Sequence, residues 1–311
     1  MIMHANEIDG FAIFSVFVAA LVVNNLPSHE TIDQIAIPET FTNVVFYEYL
    51  SVQMMGYIRL FIAIAMFLQT LVDFSKSITI QMDHRSRRNQ RIIKLSMTMN
   101  GVKQLCIFTN WAYTMLNLSF FLNAYLALYP SSSNGWLMRL GVVVFDCAVP
   151  SCMLVSSVTK YDDVWVNQVE WRQMFDSCTS PPSCKMRHNL NSMLVIGEVA
   201  LLGGLPVRIQ EITIFPLFAF CYVVFAWATG LLRTTGRQQT ERRSWLSFTG
   251  NLLGYVVSSM NVLKLIGFLV GFNIICSWIA TLGVMLDYCD CSWLHVAFVT
   301  WSSSIFCRFR D

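Results

Sequence analysis

The sequence predicts an all-α, polytopic integral membrane bundle of about six core transmembrane helices with a short apolar segment at each end. Three observations predict it. Hydrophobic residues make up 55% of the 311 positions and charged residues 13%, about half the charge density of a soluble domain. Six apolar stretches reach or approach the roughly 20 residues that a helix needs to cross a hydrocarbon layer about 30 Å thick. The cations gather in connections that fall on one side of those stretches. With a mean hydropathy of +0.53, a wetted aqueous surface and a disordered chain are both excluded. The net charge of +2 excludes a basic nucleic-acid binder, and ten cysteines spread over this length exclude a small disulfide scaffold.

Residues 1–52 form an N-terminal segment with one short apolar stretch, 10–23. Its 14 residues are too few to span, and Glu7 and Asp9 precede it without a Lys or Arg, unlike a signal peptide. It is expected to be an interfacial or extra helix. Residues 53–286 hold the six-helix core, with spans at 53–74, 104–129, 136–158, 191–207, 213–232 and 256–286, the fourth being the shortest. Residues 287–311 form a tail whose apolar stretch 292–307 is open to reading as a seventh crossing, with Arg308 and Arg310 at its inner end.

Lys and Arg accumulate on the cytoplasmic side of membrane proteins. The connection 75–103 carries Lys76, Arg85, Arg87, Arg88, Arg91, Lys94 and Lys103 against Asp83, and 233–243 carries Arg233, Arg237, Arg242 and Arg243 against Glu241. Four spans separate the two, an even number, so both are expected in the cytoplasm. Such loops favour anionic cytoplasmic leaflets, which every organelle of the secretory route offers, so they do not select a compartment; the endoplasmic reticulum or plasma membrane is the expected location. In the connection 159–187, Trp165, Trp171 and Phe175 suit an interfacial helix. Its Cys178 and Cys184 lack the spacing of a zinc knuckle or redox pair, and Cys289 and Cys291, on the non-cytoplasmic side, are one residue apart, so a bridge between them would be strained. The five histidines are too scattered to ligate a metal together, and no cofactor or metal is expected.

Ionisable side chains within apolar spans are costly, so Arg59, Asp146, Glu198 and Lys264 stand out. Arg59 is expected to pair with Asp146 or Glu198 and so fix helix register. Glu198 reads as mid-span, and Lys264 as snorkelling to the interface. Thr109 lies near the cytoplasmic start of the second span, and His188 and Asn191 near that of the fourth. A hydroxyl, an imidazole and an amide at one depth can serve as nucleophile, base and oxyanion donor. The competing reading has Thr109 bonded to its own helix backbone and His188 titrating among headgroups. Gly267 and Gly271 form a GxxxG in the sixth span. No P-loop, dinucleotide fingerprint, GxSxG elbow, HExxH or internal repeat occurs.

Three patches occur in order: GYIRLFIAIAMF, IFTNWAYTMLNLSFF, and RHNLNSMLVIGEV leading into FPLFAFCYVVFAWATG. Together they resemble the six-span family that includes the insect protein rolling stone and the androgen-induced hydrolases of fatty acid esters of hydroxy fatty acids. The likeness covers residues 53–232, and the sixth span agrees in hydropathy. In the hydrolase branch a threonine of the second helix and a histidine near the start of the fourth cleave the lipid ester. The resemblance implies those roles for Thr109, within IFTNW, and for a histidine in RHNLNS. The hydrolases place two histidines three residues apart, whereas this chain has His188 and Asn191. If the essential position is Asn191, the base is missing. The HxxN form is more similar to the rolling stone branch, implicated in cell fusion.

The expected function is therefore a membrane-embedded lipid-ester hydrolase in which Thr109 attacks and His188 is the base. Asn191 or Arg59 would steady the oxyanion or a lipid carboxylate, with Glu198 and Asp146 supporting. The alternative is a non-catalytic membrane protein in adhesion, assembly or signalling. A weaker third is a transporter using Asp146 and Glu198 in a proton or ion path. Expected partners are membrane lipids, a lipid-ester substrate, and homo- or hetero-oligomers through helix faces, with no nucleic acid.

Overall fold

A computed structural model describes residues 24–46, 49–85, 92–132, 134–160, 182–203, 213–232 and 292–306, with a few positions in 16–20, 205–211 and 271–285. Two single-turn helices, α1 (His29–Asp33) and α2 (Pro38–Thr42), come first. The long helix α3 (Val52–Ser75) follows, then a hairpin of strands β1 (Ser77–Arg85) and β2 (Ile92–Asn100) and a 3-10 turn over Gly101–Cys106. Helices α4 (Phe108–Leu128), α5 (Gly135–Lys160), α6 (Pro182–Ala200), α7 (Ile214–Leu232) and α8 (Ser292–Phe306) complete the described chain. Of the expected stretches, most of 10–23 and 256–286, with Lys264, lies outside the described residues, as does nearly all of 159–181.

Two helices among the described residues are long and apolar enough to cross a membrane: α3 and the stretch Gly135–Ser157 of α5. Ser51 starts α3 by accepting the Met54 N–H at 3.2 Å. One stripe of α3, including Met55, Arg59, Ala63 and Met66, is buried, while Tyr57, Phe61, Leu68 and Leu71 point outward. At Gly56 a Cβ would lie 2.7 Å from Leu128, so the missing side chain lets α4 approach closely. Nearly all of the apolar stretch of α5 is buried, and α5 packs against α4, α6, α7 and α8. Pro150 inside α5 deprives the Asp146 carbonyl of its intrahelical N–H.

The described residues are otherwise helical, as expected, but at 75–103 the basic connection is a two-stranded antiparallel hairpin. Its residues alternate with period two, which suits a strand and not a helix. The register sets Ile78 opposite Met99, Ile80 opposite Met97, Met82 opposite Leu95 and His84 opposite Ile93 on one face. The other face carries Ser77 opposite Asn100, Thr79 opposite Thr98, Gln81 opposite Ser96 and Asp83 opposite Lys94.

The fourth expected span also differs. Helix α6 starts at Pro182, nine residues before the apolar run, and stops at Ala200. Glu198 is therefore in its last turn instead of mid-span. The chain leaves α6 through Gly203, whose φ of +67° is left-handed and whose Cβ would meet the Asn43 carbonyl oxygen at 2.5 Å. Gly203→Ala is expected to lower stability by about 1–3 kcal/mol, read as a fall in melting temperature of the purified protein.

Candidate functional site

The start of α4 is held by side-chain to backbone bonds. Gln104, in the 3-10 turn, donates to the carbonyls of Asp73 (3.0 Å) and Lys76 (2.8 Å) at the end of α3. Asn110 donates to the Gln104 carbonyl at 2.6 Å, and the Trp111 indole to the Leu105 carbonyl at 2.8 Å. Trp111 also packs against Phe218, Tyr222 and Phe225 of α7. Thr109, half-buried, is the second residue of α4 in this frame. Its neighbours are thus fixed in the first turn, the end of the helix whose dipole favours negative charge.

A chain of contacts joins this turn to α6. One turn beyond Thr109, the Ala112 carbonyl accepts from the Cys152 thiol of α5 at 3.5 Å. One turn further along α5, Ser156 hydrogen bonds Ser192 of α6. Asn191 beside it is fully buried, and neither atom of its amide has a partner among the described residues. His188 lies on α6 one turn before Asn191, on the same helix face by spacing. The His188 side chain is outside the described residues. The first turns of α4 and the middle of α6 thus both pack against the C-terminal part of α5.

Arg59 and Glu198 belong to a different cluster. Of the two acids open to Arg59, the structure takes Glu198, at 2.7 Å with both side chains buried. Arg59 also donates to the carbonyls of Leu202 (2.9 Å) and Phe41 (3.3 Å), and Asn123 of α4 reaches Glu198 at 3.5 Å. Asn123 is 14 residues from Thr109, about 21 Å along α4. Arg59 therefore cannot steady an oxyanion formed at Thr109: it is neutralised, and it sits at the other end of the helix.

Asp146 meets Glu211, a residue that sequence reasoning missed. Both are buried, and none of their four carboxyl oxygens has a donor among the described residues. The two carboxyls lie near enough to influence each other's protonation. Burial pushes the Glu211 carboxyl above its ordinary range, against the influence of Asp146 and of Arg208, which pull it down. A carboxyl raised in the folded state binds its proton more tightly there than when unfolded. The stability it contributes is full at low pH and is lost as pH rises from about 4.5 through the raised value. Melting temperature is thus expected to fall with pH in that window, with a smaller slope in Glu211→Gln.

Sequence reasoning also missed the polar stripe of α4. Asn117, with its amide oriented to satisfy both bonds, spans the Ala63 carbonyl (3.0 Å) and the Phe67 N–H (3.1 Å) of α3. The signal was there: Asn110, Asn117 and Asn123 recur near two-turn spacing and are all buried. Glu211 offered little signal beyond its place just before the apolar run of α7. Among the described residues no group of three His, Cys, Asp or Glu is placed to hold a metal. Comparison of the chain with protein-family models, with curated proteins and with solved structures finds no match.

Proposed function

We propose that this chain is a multi-pass membrane protein that hydrolyses a lipid ester near the ends of its helices that face the basic connections. Thr109 attacks the ester carbonyl, His188 takes the hydroxyl proton and returns it to the leaving alcohol, and water then releases the acyl group. The negative charge on the carbonyl oxygen falls at the N-terminal end of α4, where the helix dipole favours it, with the Asn191 amide as a side-chain donor. The observation that carries this reading is Asn191, wholly buried and without a partner among the described residues. Such a burial costs about 1–3 kcal/mol, which function can justify where packing cannot. The likeness of IFTNW to the hydrolase branch supports Thr109 in the same role.

The test is a fluorophosphonate probe applied to the detergent-solubilised protein. The wild type is expected to be labelled, and Thr109→Ala and His188→Ala to be unlabelled while keeping the wild-type melting curve. Labelling of Thr109→Ala at the wild-type level would overturn the reading.

A second reading is a non-catalytic membrane protein that works through its helix faces. One observation favours it: Arg59 is paired with Glu198 inside the protein, and Asp146 is buried beside Glu211, so these ionisable residues are held away from the start of α4. It predicts no labelling of a well-folded wild type, and function that survives Thr109→Ala.

A further inference from the structure

The pairing of Arg59 with Glu198 leaves three polar atoms over. A carboxylate set squarely against an arginine bonds it with both oxygens. Here Glu198 Oε1 meets Arg59 Nη2 at 2.7 Å, and Arg59 turns its other bonds to the Leu202 and Phe41 carbonyls. Oε2 of Glu198 and Nε of Arg59 have no partner among the described residues. Asn123 repeats the pattern: its Nδ2 donates to Glu198 Oε1 at 3.5 Å, and its Oδ1 is left over. All three side chains are buried. Each leftover atom is joined through a single carbon to an atom that meets at Glu198 Oε1, so the three lie in one neighbourhood between α3, α4 and α6. A buried ion pair offsets its desolvation only when its remaining lone pairs and protons are also bonded.

The leftover atoms are one donor and two acceptors, and that count selects the ligand. A cation cannot accept the Nε proton and is repelled by Arg59. An anion has no proton for the two oxygens and is repelled by Glu198. An alcohol hydroxyl has one proton where two are needed. Water has two protons and a lone pair to spare, and a buried water typically makes about three bonds to groups otherwise unsatisfied. We infer that a single water molecule is bound between α3, α4 and α6, accepting from Arg59 Nε and donating to Glu198 Oε2 and Asn123 Oδ1. It is one ordered molecule and not bulk solvent, so the ion pair keeps its low-dielectric surroundings. Asn123 then serves the pair with both atoms of its amide, one directly and the other through the water.

The test is a density map of the detergent-solubilised full chain at a resolution that shows ordered waters. A peak is expected about 2.7–3.2 Å from all three atoms. Asn123→Leu keeps the bulk of the side chain and removes both polar atoms; the peak is expected to be lost in it while Arg59 and Glu198 stay paired. Radiolytic hydroxyl-radical labelling of the wild type gives a second measurement that needs no variant, because radicals form in place from bound water. Met55 and Met66 are both buried, but Met55 is one turn from Arg59 along α3 and Met66 is two turns away. Oxidation of Met55 with Met66 spared is the expected result. A map in which Glu198 Oε2 bonds Arg59 Nε directly, or in which a side chain of the protein fills the position, overturns the inference. So does a peak at the roughly 2.3–2.6 Å of a metal ion and its oxygen ligands, and so does equal labelling of the two methionines.

Discussion

Glu198→Ala is expected to destabilise the protein by about 3–5 kcal/mol, because it leaves the Arg59 guanidinium buried with no counter-charge. The two carbonyls that Arg59 also reaches, of Leu202 and Phe41, are dipoles and cannot neutralise it. Arg59→Ala is expected to cost as much, since it strands Glu198 and frees both carbonyls, which tie α2 and the chain after α6 to α3. Arg59→Lys is expected to recover little, because one ammonium cannot reproduce the planar fork that serves three partners. The informative comparison is the double variant Arg59→Met, Glu198→Met. Removing both charges together is expected to restore most of the loss, as replacement of buried ion pairs by apolar residues does. Thermal melts in detergent, with the monodisperse fraction after extraction, check each step. A single-variant loss below about 1 kcal/mol, the level of a solvated surface pair, would mean that water reaches this site.

On the hydrolase proposal, Thr109→Ala is expected to lower the rate of lipid-ester hydrolysis by a factor on the order of 10³ or more. Removal of a nucleophile that works as a unit with its base forfeits nearly all the covalent catalysis. Thr109→Ser keeps the attacking hydroxyl and is expected to retain measurable turnover, whereas a structural role for the methyl would leave Ser no better than Ala. Asn191→Ala is expected to have a smaller effect, about 10²–10³ in kcat, with KM nearly unchanged, because an oxyanion donor acts in the transition state. His188→Ala combined with Thr109→Ala is expected to be no worse than either alone. Additive losses would instead mean that the two residues act independently.

The apolar segments that became helices were legible because length and hydropathy report them directly. The expected 53–74 and 136–158 agree with α3 and α5 to within two residues. The start of α6 was not legible that way, since SCKMRH is too polar for a hydropathy window and is helical all the same. The hairpin was present as alternation in SITIQMDHR and IIKLSMTMN, but a count of cations passes over a period of two. Of the candidate site, the contact chain from Thr109 through Ala112, Cys152, Ser156 and Ser192 joins α4, α5 and α6. No spacing within one helix encodes such a chain. The choice of Glu198 over Asp146 as partner of Arg59 is of the same kind. It depends on where α6 ends, and thus on Gly203 and its close approach to Asn43.

The buried ion pair also bears on how the chain is made. The Leu202 carbonyl that accepts from Arg59 is 143 residues downstream, and Glu198 is only four positions earlier. At about 5–20 residues per second, the ribosome supplies them about 7–30 seconds after Arg59. On the membrane reading, α3 must therefore carry an unmatched cation through that interval, which biosynthetic insertion alone penalises by about 2.5–3.5 kcal/mol. On that reading its release into lipid is timed by the arrival of α6, which then acts as the intramolecular chaperone of α3.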